Sequence, residues 1–482
     1  MINIVTDQND NESRDEVHGA GEAFRQRIAT VDAQGQRKWV YPKKPAGRYH
    51  RARAWVAAFL VVLFFSAPWI KINGHPLLLV NILDRRFSIL GVPFWPQDAI
   101  YFVIAFISLV VFLLLFTVIW GRLWCGWACP QTIFMEMVFR KIEYLFEGGP
   151  SKQRRLKSKP WDFDKLWRKG GKWLTFFVVA FAVANTFMAY FVGTDGFLER
   201  ISGSPGDHMG AFIGVLSFTG LFYFIFAWFR EQACTLLCPY ARLQGVLLDN
   251  DSVAVTYDFN RGEERMPANK AKKTQLSGDC VDCFSCVKVC PTGIDIRNGI
   301  QLECINCTAC MDACDTVMDK YNRPRGLIRY ASYNMVKNGT RFRFTPRVIG
   351  YLVIFAILIS VFVTMLVLRS DVETTILRTP GQLFQEVDDG ATIQNLYNLK
   401  VVNKTYEPMP LHLKLVEPAS GKIQIVGTDL RIDAEGILEQ AFFVTLPRDI
   451  LDPLKTPIRI EISNDDGVLE TVKTNFMGPA AP

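Results

Sequence analysis

The sequence predicts a multi-domain membrane protein. It would have five transmembrane α-helices, a cysteine-rich insert on one side of the bilayer and an all-β C-terminal domain. Three observations carry this expectation. Five apolar runs approach or reach bilayer length, eight of the twelve cysteines fall between Cys280 and Cys314, and residues 370–482 alternate apolar and polar in short runs. The 482 residues are 50% apolar, 13% aromatic and 21% charged, with a formal net charge of +7 and a mean hydropathy of +0.14. Such a composition excludes disordered, collagenous and coiled-coil chains and argues against a purely soluble enzyme. Twelve cysteines in this length are too sparse for a secreted disulfide scaffold.

Residues 1–50 read as a poorly ordered, cytoplasmic N-terminal tail. Being mostly polar, they do not resemble a signal peptide. The apolar runs follow at 54–70, 99–120, 173–192, 210–229 and 348–368. About 20 residues at about 1.5 Å each span a hydrocarbon core of about 30 Å, and the last four runs meet that length without a charge. Lys and Arg number ten in 1–53, three in 71–98, twelve in 121–172, one in 193–209 and seventeen in 230–347. The basic segments alternate with poor ones, so the N-terminus and the cysteine-rich insert are expected in the cytoplasm and the C-terminus outside. Because the positive charge is spread along one membrane face, nucleic acid is not an expected partner; membrane lipid is. The expected domains are 51–250 (four membrane helices), 251–345 (cytoplasmic insert), 346–369 (fifth helix) and 370–482 (external). In the last, Leu411, Leu413 and Leu415 alternate with His412 and Lys414, and Ile458, Ile460 and Ile462 with Arg459, Glu461 and Ser463. Seven or eight such runs fit an immunoglobulin-like β-sandwich, read as an interaction or spacer module.

Cys280, Cys283, Cys286 and Cys290 read C-x2-C-x2-C-x3-C-P, and Cys304, Cys307, Cys310 and Cys314 repeat the ladder. This is the bacterial ferredoxin spacing for two 4Fe–4S clusters, in which the fourth cysteine of each run serves the other cluster. Cluster I is thus expected on Cys280, Cys283, Cys286 and Cys314, and cluster II on Cys304, Cys307, Cys310 and Cys290. Zinc knuckles use separated C-x2-C pairs instead, and a reducing cytoplasm disfavours disulfides. One departure is Asp315, where the first run has Pro291. It leaves ligation intact and points to a more exposed or differently poised cluster.

The remaining cysteines, Cys125 and Cys129 in RLWCGWACPQ and Cys234 and Cys238 in REQACTLLCPY, form two C-x3-C-P motifs. Each follows a span running from outside to inside, then an amphipathic stretch (Thr132–Phe146 and Ala241–Leu248), so the motifs mark an internal repeat at the cytoplasmic boundary. A helical boundary puts i and i+4 on one face. A break before the proline puts Cys129 and Cys238 at helix N-termini, where the dipole, helped by Arg122 and Arg230, favours thiolate. Lone buried cysteines often act as small hydrophobes, but two identically spaced pairs argue for a redox or metal site. Four thiolates suit Cu(I) or a further iron–sulfur cofactor; spacing alone does not choose, nor decide between one site and two.

Other candidates carry less. His18, His50, His75, His208 and His412 form no metal spacing, and no span contains a histidine for haem. His208-Met209 reads as a loop, Met135 and Met137 as an apolar helix face. Trp124, Trp127 and Tyr240 fit an interfacial aromatic belt or the lining of a quinone pocket.

Taken together, the paired C-x3-C-P motifs after helical hairpins, the eight-cysteine insert, the fifth span and the external sandwich resemble the CcoG/FixG/RdxA proteins over residues 35–480. These are accessory proteins for assembly of the cbb(3)-type cytochrome oxidase. The resemblance implies a bacterial inner-membrane protein that reduces Cu(II) to Cu(I), with Cys125, Cys129, Cys234 and Cys238 facing the metal and the ferredoxin cysteines supplying electrons. It implies oxidase subunits or copper chaperones as partners; the electron donor is not specified. Two other readings stay open at this point: a conduit that oxidises quinol for a partner reductase, and a non-enzymatic assembly scaffold.

Overall fold

In the computed structural model, residues 29–31, 34–72, 74–81, 86–95, 98–204, 206–267, 278–381, 383–427, 430–452, 454–465 and 467–479 are described. The expected tail over 1–28, with His18, lies outside them. Five helices among the described residues are long and apolar enough to cross a membrane: Arg48–Trp69, Ala99–Trp120, Phe163–Val192, Met209–Phe229 and Pro346–Val367. The chain divides into two compact units, one of residues up to Ile70 with Ile104–Ile359, the other of Lys71–Val103 with Ser360–Pro482.

In the first unit the apolar runs form helices because nothing in them breaks the backbone ladder, and the ends depart from the sequence reading for local reasons. The third span starts at Phe163, ten residues ahead of the apolar run, because the Asp162 carboxylate caps it, accepting from the Lys165 N–H at 2.9 Å. The first span starts at Arg48, where the N–H groups of Tyr49 and His50 donate to the two carboxylate oxygens of Asp312 at 3.1 and 2.7 Å. A residue between two ferredoxin cysteines thus caps a membrane helix. Phe134, Met135, Phe139, Phe176, Val183 and Phe226 form a core shared by the repeat's helices, which assigns Met135 to packing; Met137 packs with Ala57 and Ile133. Both bury as the apolar face expected.

The tail expected to be loose is held from Gln34 onward. Arg37 stacks on Trp39 and binds Glu231 at 2.8 Å. The Lys43 N–H donates to the Lys288 carbonyl at 2.7 Å, and the Tyr144 hydroxyl to the Pro42 carbonyl at 3.0 Å. Aromatic and basic residues at 37–44 thus tie the segment to the ferredoxin insert and membrane helices.

The second unit holds the sandwich. Strands β1 (Val372–Arg378), β2 (Gln385–Val387), β3 (Thr392–Asn403), β4 (His412–Glu417), β5 (Lys422–Ile425), β6 (Ile437–Pro447), β7 (Lys455–Ser463) and β8 (Val468–Met477) are all paired antiparallel. One sheet runs β5-β6-β3-β1 with β2 beside β3; the other runs β4-β7-β8. Alternation places Ile393, Tyr397, Leu399 and Val401 of β3, Phe442, Val444 and Leu446 of β6, and Ile458, Ile460 and Ile462 of β7 in one core. This is the immunoglobulin-like all-β domain. The segment between the first two spans carries a three-stranded meander of Leu78–Asn81, Arg86–Ile89 and Val92–Phe94. Within this unit the Asp98 carboxylate, 2% exposed, accepts from Lys404 at 2.7 Å and Arg369 at 2.8 Å.

Candidate metal centres

The ferredoxin insert is closed by the antiparallel pair Ala254–Tyr257 and Ile328–Ala331, with helices Ser285–Val289 and Ala309–Lys320 packed between. Its two cysteine loops share one backbone path. Asp282 and Phe284 flank Cys283 with φ of 46° and 56°, and Asn306 and Thr308 flank Cys307 with φ of 53° and 63°. Left-handed residues on both sides of the middle cysteine curl each loop into a concavity of N–H groups, the shape that cradles an anionic group. Phe284 and Thr308 are side chains that rarely adopt this conformation, and the strain is of the kind stored where a site dictates the path.

Two small cavities lie inside these loops. One is lined by Cys290, Cys304, Cys307 and Cys310 with Cys286 at its edge, the other by Cys280, Cys283, Cys286 and Cys314. The cysteines divide along the crossed lines that the spacing requires. The donor set fits: each cavity presents four sulfurs with few competing polar atoms, and hydroxyls stand beside two of them (Ser285 by Cys283 and Thr292 by Cys290, each at 3.3 Å). Burial pushes the Cys304 and Cys314 thiols up to about 12 and Cys307 to about 11, so metal must displace their protons. Of the eight, only Cys283 is exposed, which makes the first cluster's site the accessible one. Asp315 does not open its surroundings: it is buried, and its carboxylate accepts from the Gly326 N–H at 2.9 Å.

At the boundary motifs the helix breaks before proline in both repeats. Cys129 (φ −63°, ψ 122°) precedes helix Pro130–Ile133, and Cys238 (φ −68°, ψ 112°) precedes Pro239–Leu247. Proline is suited to the first helical position because the N–H it lacks has no partner there. A π-helical turn follows the first motif at Phe134–Phe139 and another, Ala233–Leu237, carries Cys234. The two motifs interlock. The Cys125 thiol donates to the Gln244 side-chain carbonyl at 3.3 Å, on the helix that follows the second motif. Thr132, on the helix that follows the first, lies beside Cys234, with its hydroxyl buried and without a hydrogen-bond partner. Cys125 and Cys234 each lie within electrostatic reach of the other three cysteines.

The expectation that both arginines favour thiolate is corrected here. Burial pushes Cys125 and Cys234 up to about 12, neighbouring cysteines push the same way, and Arg122 opposes this at Cys125 without prevailing. Arg230 does not serve the thiols, because its guanidinium is paired with Glu143 at 2.7 Å and lies near Glu231. Among the described residues, no three His, Cys, Asp or Glu side chains converge tightly enough for a single ion.

This tetrad abuts the inner ferredoxin cavity. Cys125 packs against a cluster of Val289, Ile305, Cys307 and Ala309. Gly126 lies so close that a Cβ would stand 2.3 Å from the Ile305 carbonyl oxygen. Arg122 donates to the carbonyls of Leu302 and Ala241, joining the ferredoxin loop to the second motif's helix. Arg53 of the first span donates to the Gly126 carbonyl at 2.6 Å. The roles of Arg53, Gly126, Thr132, Gln244 and Asp312 escaped the sequence reading; the glycine between two cysteines was the one available signal. The aromatics suggested for a quinone pocket are engaged elsewhere: the Trp127 indole donates to the Tyr330 hydroxyl at 3.2 Å, Tyr240 pairs with the Thr117 hydroxyl at 2.9 Å, and Trp124 meets Phe116 edge-on.

Comparison with known proteins agrees with this layout. A 4Fe-4S dicluster domain model matches residues 229–333, a 4Fe-4S binding domain model matches 102–150, and the model for the Ig-like fold at the C-terminus of FixG matches 362–479. Protein RdxA of Cereibacter sphaeroides is 31% identical over 463 residues, covering 91% of this chain and 97% of that protein. Protein RdxB of the same organism is 32% identical, covering 87% and 88%. The nitrogen fixation protein FixG of Rhizobium meliloti is 31% identical, covering 86% and 87%. The chain therefore belongs to the FixG/RdxA family and is an iron–sulfur electron-transfer protein with five membrane helices.

Proposed function

We propose that the protein carries electrons inward from the exposed edge at Cys283, past the inner ferredoxin cavity, to the boundary tetrad, where Cu(II) is reduced to Cu(I) for maturation of a cbb(3)-type oxidase. The observation that carries this is the contact of Cys125 and Gly126 with the Ile305–Cys307 loop. It leaves no gap between the ferredoxin insert and the cysteines at the membrane edge. The excess of Lys and Arg in alternate segments supports a bacterial inner-membrane orientation with the insert cytoplasmic and the sandwich outside.

Cys280, Cys283, Cys286 and Cys314 would hold one 4Fe–4S cluster and Cys304, Cys307, Cys310 and Cys290 the other. Bound, each stores and releases one electron. The protein's residues do the rest. Ile305, Val289 and Ala309 exclude water from the passage between insert and tetrad. Asp312 fixes the insert on the first span, and Arg122 fixes the ferredoxin loop on the second motif. Copper is the substrate: each Cu(II) takes one electron and becomes Cu(I), the state that sulfur ligands prefer. Oxidase subunits or copper chaperones would receive it.

The test is purified protein with reduced clusters mixed anaerobically with Cu(II) and a Cu(I)-selective chelator. Replacing Cys234 and Cys238 by Ala should abolish the fast phase while the ferredoxin clusters stay intact. An unchanged rate would refute the assignment of the tetrad.

A further inference from the structure

The two ferredoxin cavities differ in charge balance. From this we infer that Arg53 and Arg122 hold the inner site (Cys290, Cys304, Cys307 and Cys310) at a higher reduction potential than the outer one (Cys280, Cys283, Cys286 and Cys314). The inference rests on the proposed relay and gives it a direction. One electron at a time leaves the outer site as the inner one takes it up, downhill from the Cys283 edge toward the boundary.

At the outer cavity the arginines are matched by carboxylates. Arg297, which lines the cavity, is held by Asp282 and by Asp295, whose carboxylate it meets at 2.6 Å. Arg261 is paired with Asp279, and Arg48 reaches the Asp315 carboxylate at 3.6 Å. At Cys286 the charge of Asp295 outweighs that of Arg297, and at Cys314 that of Asp315 outweighs Arg261.

At the inner cavity two cations stand without such partners. Arg53 is 4% exposed and Arg122 6%. Their hydrogen bonds go to neutral carbonyls, Arg53 to Gly126 at 2.6 Å and Arg122 to Leu302 and Ala241. The Nη2 of Arg53 and the Nε of Arg122 are buried without a hydrogen-bond partner. Both face the ferredoxin loop. Arg122 lines a cleft with Cys304 and Asn306, and Arg53 bears on Cys307 from the far side of Gly126, which abuts Ile305 and Asn306. Two carboxylates lie near. Glu136 is taken by Arg140 at 2.9 Å, and Glu303 is within electrostatic reach of Arg122 without forming an ion pair with it.

A site held by four thiolates gains one negative charge on reduction. An unpaired cation in a dry interior stabilises that more negative state strongly, whereas a guanidinium already matched by carboxylates does so weakly. Burying an unpaired cation is also expensive, and the added electron offsets part of that cost at the inner site. Water at Cys283 works in the opposite sense, since it stabilises the reduced outer site. It reaches one sulfur of four, and charges there are screened by salt.

The experiment is a redox titration of the full chain in detergent, followed by EPR and made without copper. Cys283→Ser identifies the outer signal as the one it alters or removes. The first electron should enter the other signal. Arg53→Gln and Arg122→Gln should each move that inner potential to more negative values and leave the outer one in place, while Arg53→Lys and Arg122→Lys keep it. The inference falls if the first electron enters the signal marked by Cys283→Ser. It falls equally if the Gln variants move neither potential or both alike, or if Lys shifts the inner potential as far as Gln, which marks a purely structural role. If the Gln variants fail to fold, Asp295→Asn reads the same electrostatics from the other side and should raise the outer potential alone; an unmoved outer potential overturns the inference. Potentials ordered as expected, with copper reduction unaffected by loss of Cys234 and Cys238, would sink the relay to copper and leave this inference standing. The reverse order with copper reduction abolished by that loss would leave the relay and remove its direction.

Discussion

Replacing Gly126 by Ala tests the junction between insert and tetrad directly. The new methyl would stand 2.3 Å from the Ile305 carbonyl oxygen and 3.0 Å from the Asn306 carbonyl carbon and oxygen. These are backbone atoms that cannot swing aside. Ordinary contact lies at about 3.5 Å, so the two loops must part by on the order of 1 Å. Overpacking of this kind costs about 1–3 kcal/mol, spread over a junction also held by Arg53 and Arg122, so the protein should still fold. The rate should suffer more, because a misplacement of about 1 Å between reacting partners costs up to about 10²-fold. The assay is anaerobic stopped-flow of pre-reduced protein against Cu(II), with cluster content followed by EPR. Gly170→Ala is the control, since a Cβ there meets nothing within 4 Å. A Gly126→Ala protein with full iron content and an unaltered rate would show that electrons do not cross at this contact.

Three further outcomes are expected. Asp98→Asn leaves Lys404 and Arg369 buried without their shared carboxylate and should destabilise the second unit by about 3–5 kcal/mol, read as faster hydrogen exchange in β1 and β3. Burial raises the Asp98 pKa, but the hydrogen bonds from Lys404, Arg369 and the Trp95 N–H outweigh it and hold the pKa below the usual value. Its stabilising contribution is therefore complete above about pH 4 and lost as pH falls through the lower folded value; the Asn variant should lack this acid-dependent step. Asp312→Ala removes the carboxylate that accepts from Tyr49 and His50 and should cost about 1 kcal/mol, with increased exchange at the start of the first span. Cluster loss to oxidants should begin at the exposed Cys283 site, so a brief ferricyanide pulse should remove that EPR signal before the inner one.

The sandwich was legible because a strand that buries one face must alternate, and Ile458, Ile460 and Ile462 declare it. The ferredoxin ladder was legible because cluster geometry dictates the spacing of its ligands. The membrane helices were legible in number but not at their ends. Asp162 and Asp312 set two of these starts, and Asp312 reaches its helix from a point far along the chain. The meander over 78–94 went unread because its strands are three or four residues long and carry little alternation.

At the boundary motifs the sequence determined the cysteine types and their spacing, and left a continuous helix and a break before each proline both open. Only the tertiary structure decided that the helix breaks before each proline, that Gln244 ties the second motif's helix to Cys125, that burial pushes the Cys125 and Cys234 thiols up, and that Arg230 is neutralised by Glu143. Desolvation and charge pairing depend on which distant segments meet, and a linear pattern of residues does not record that.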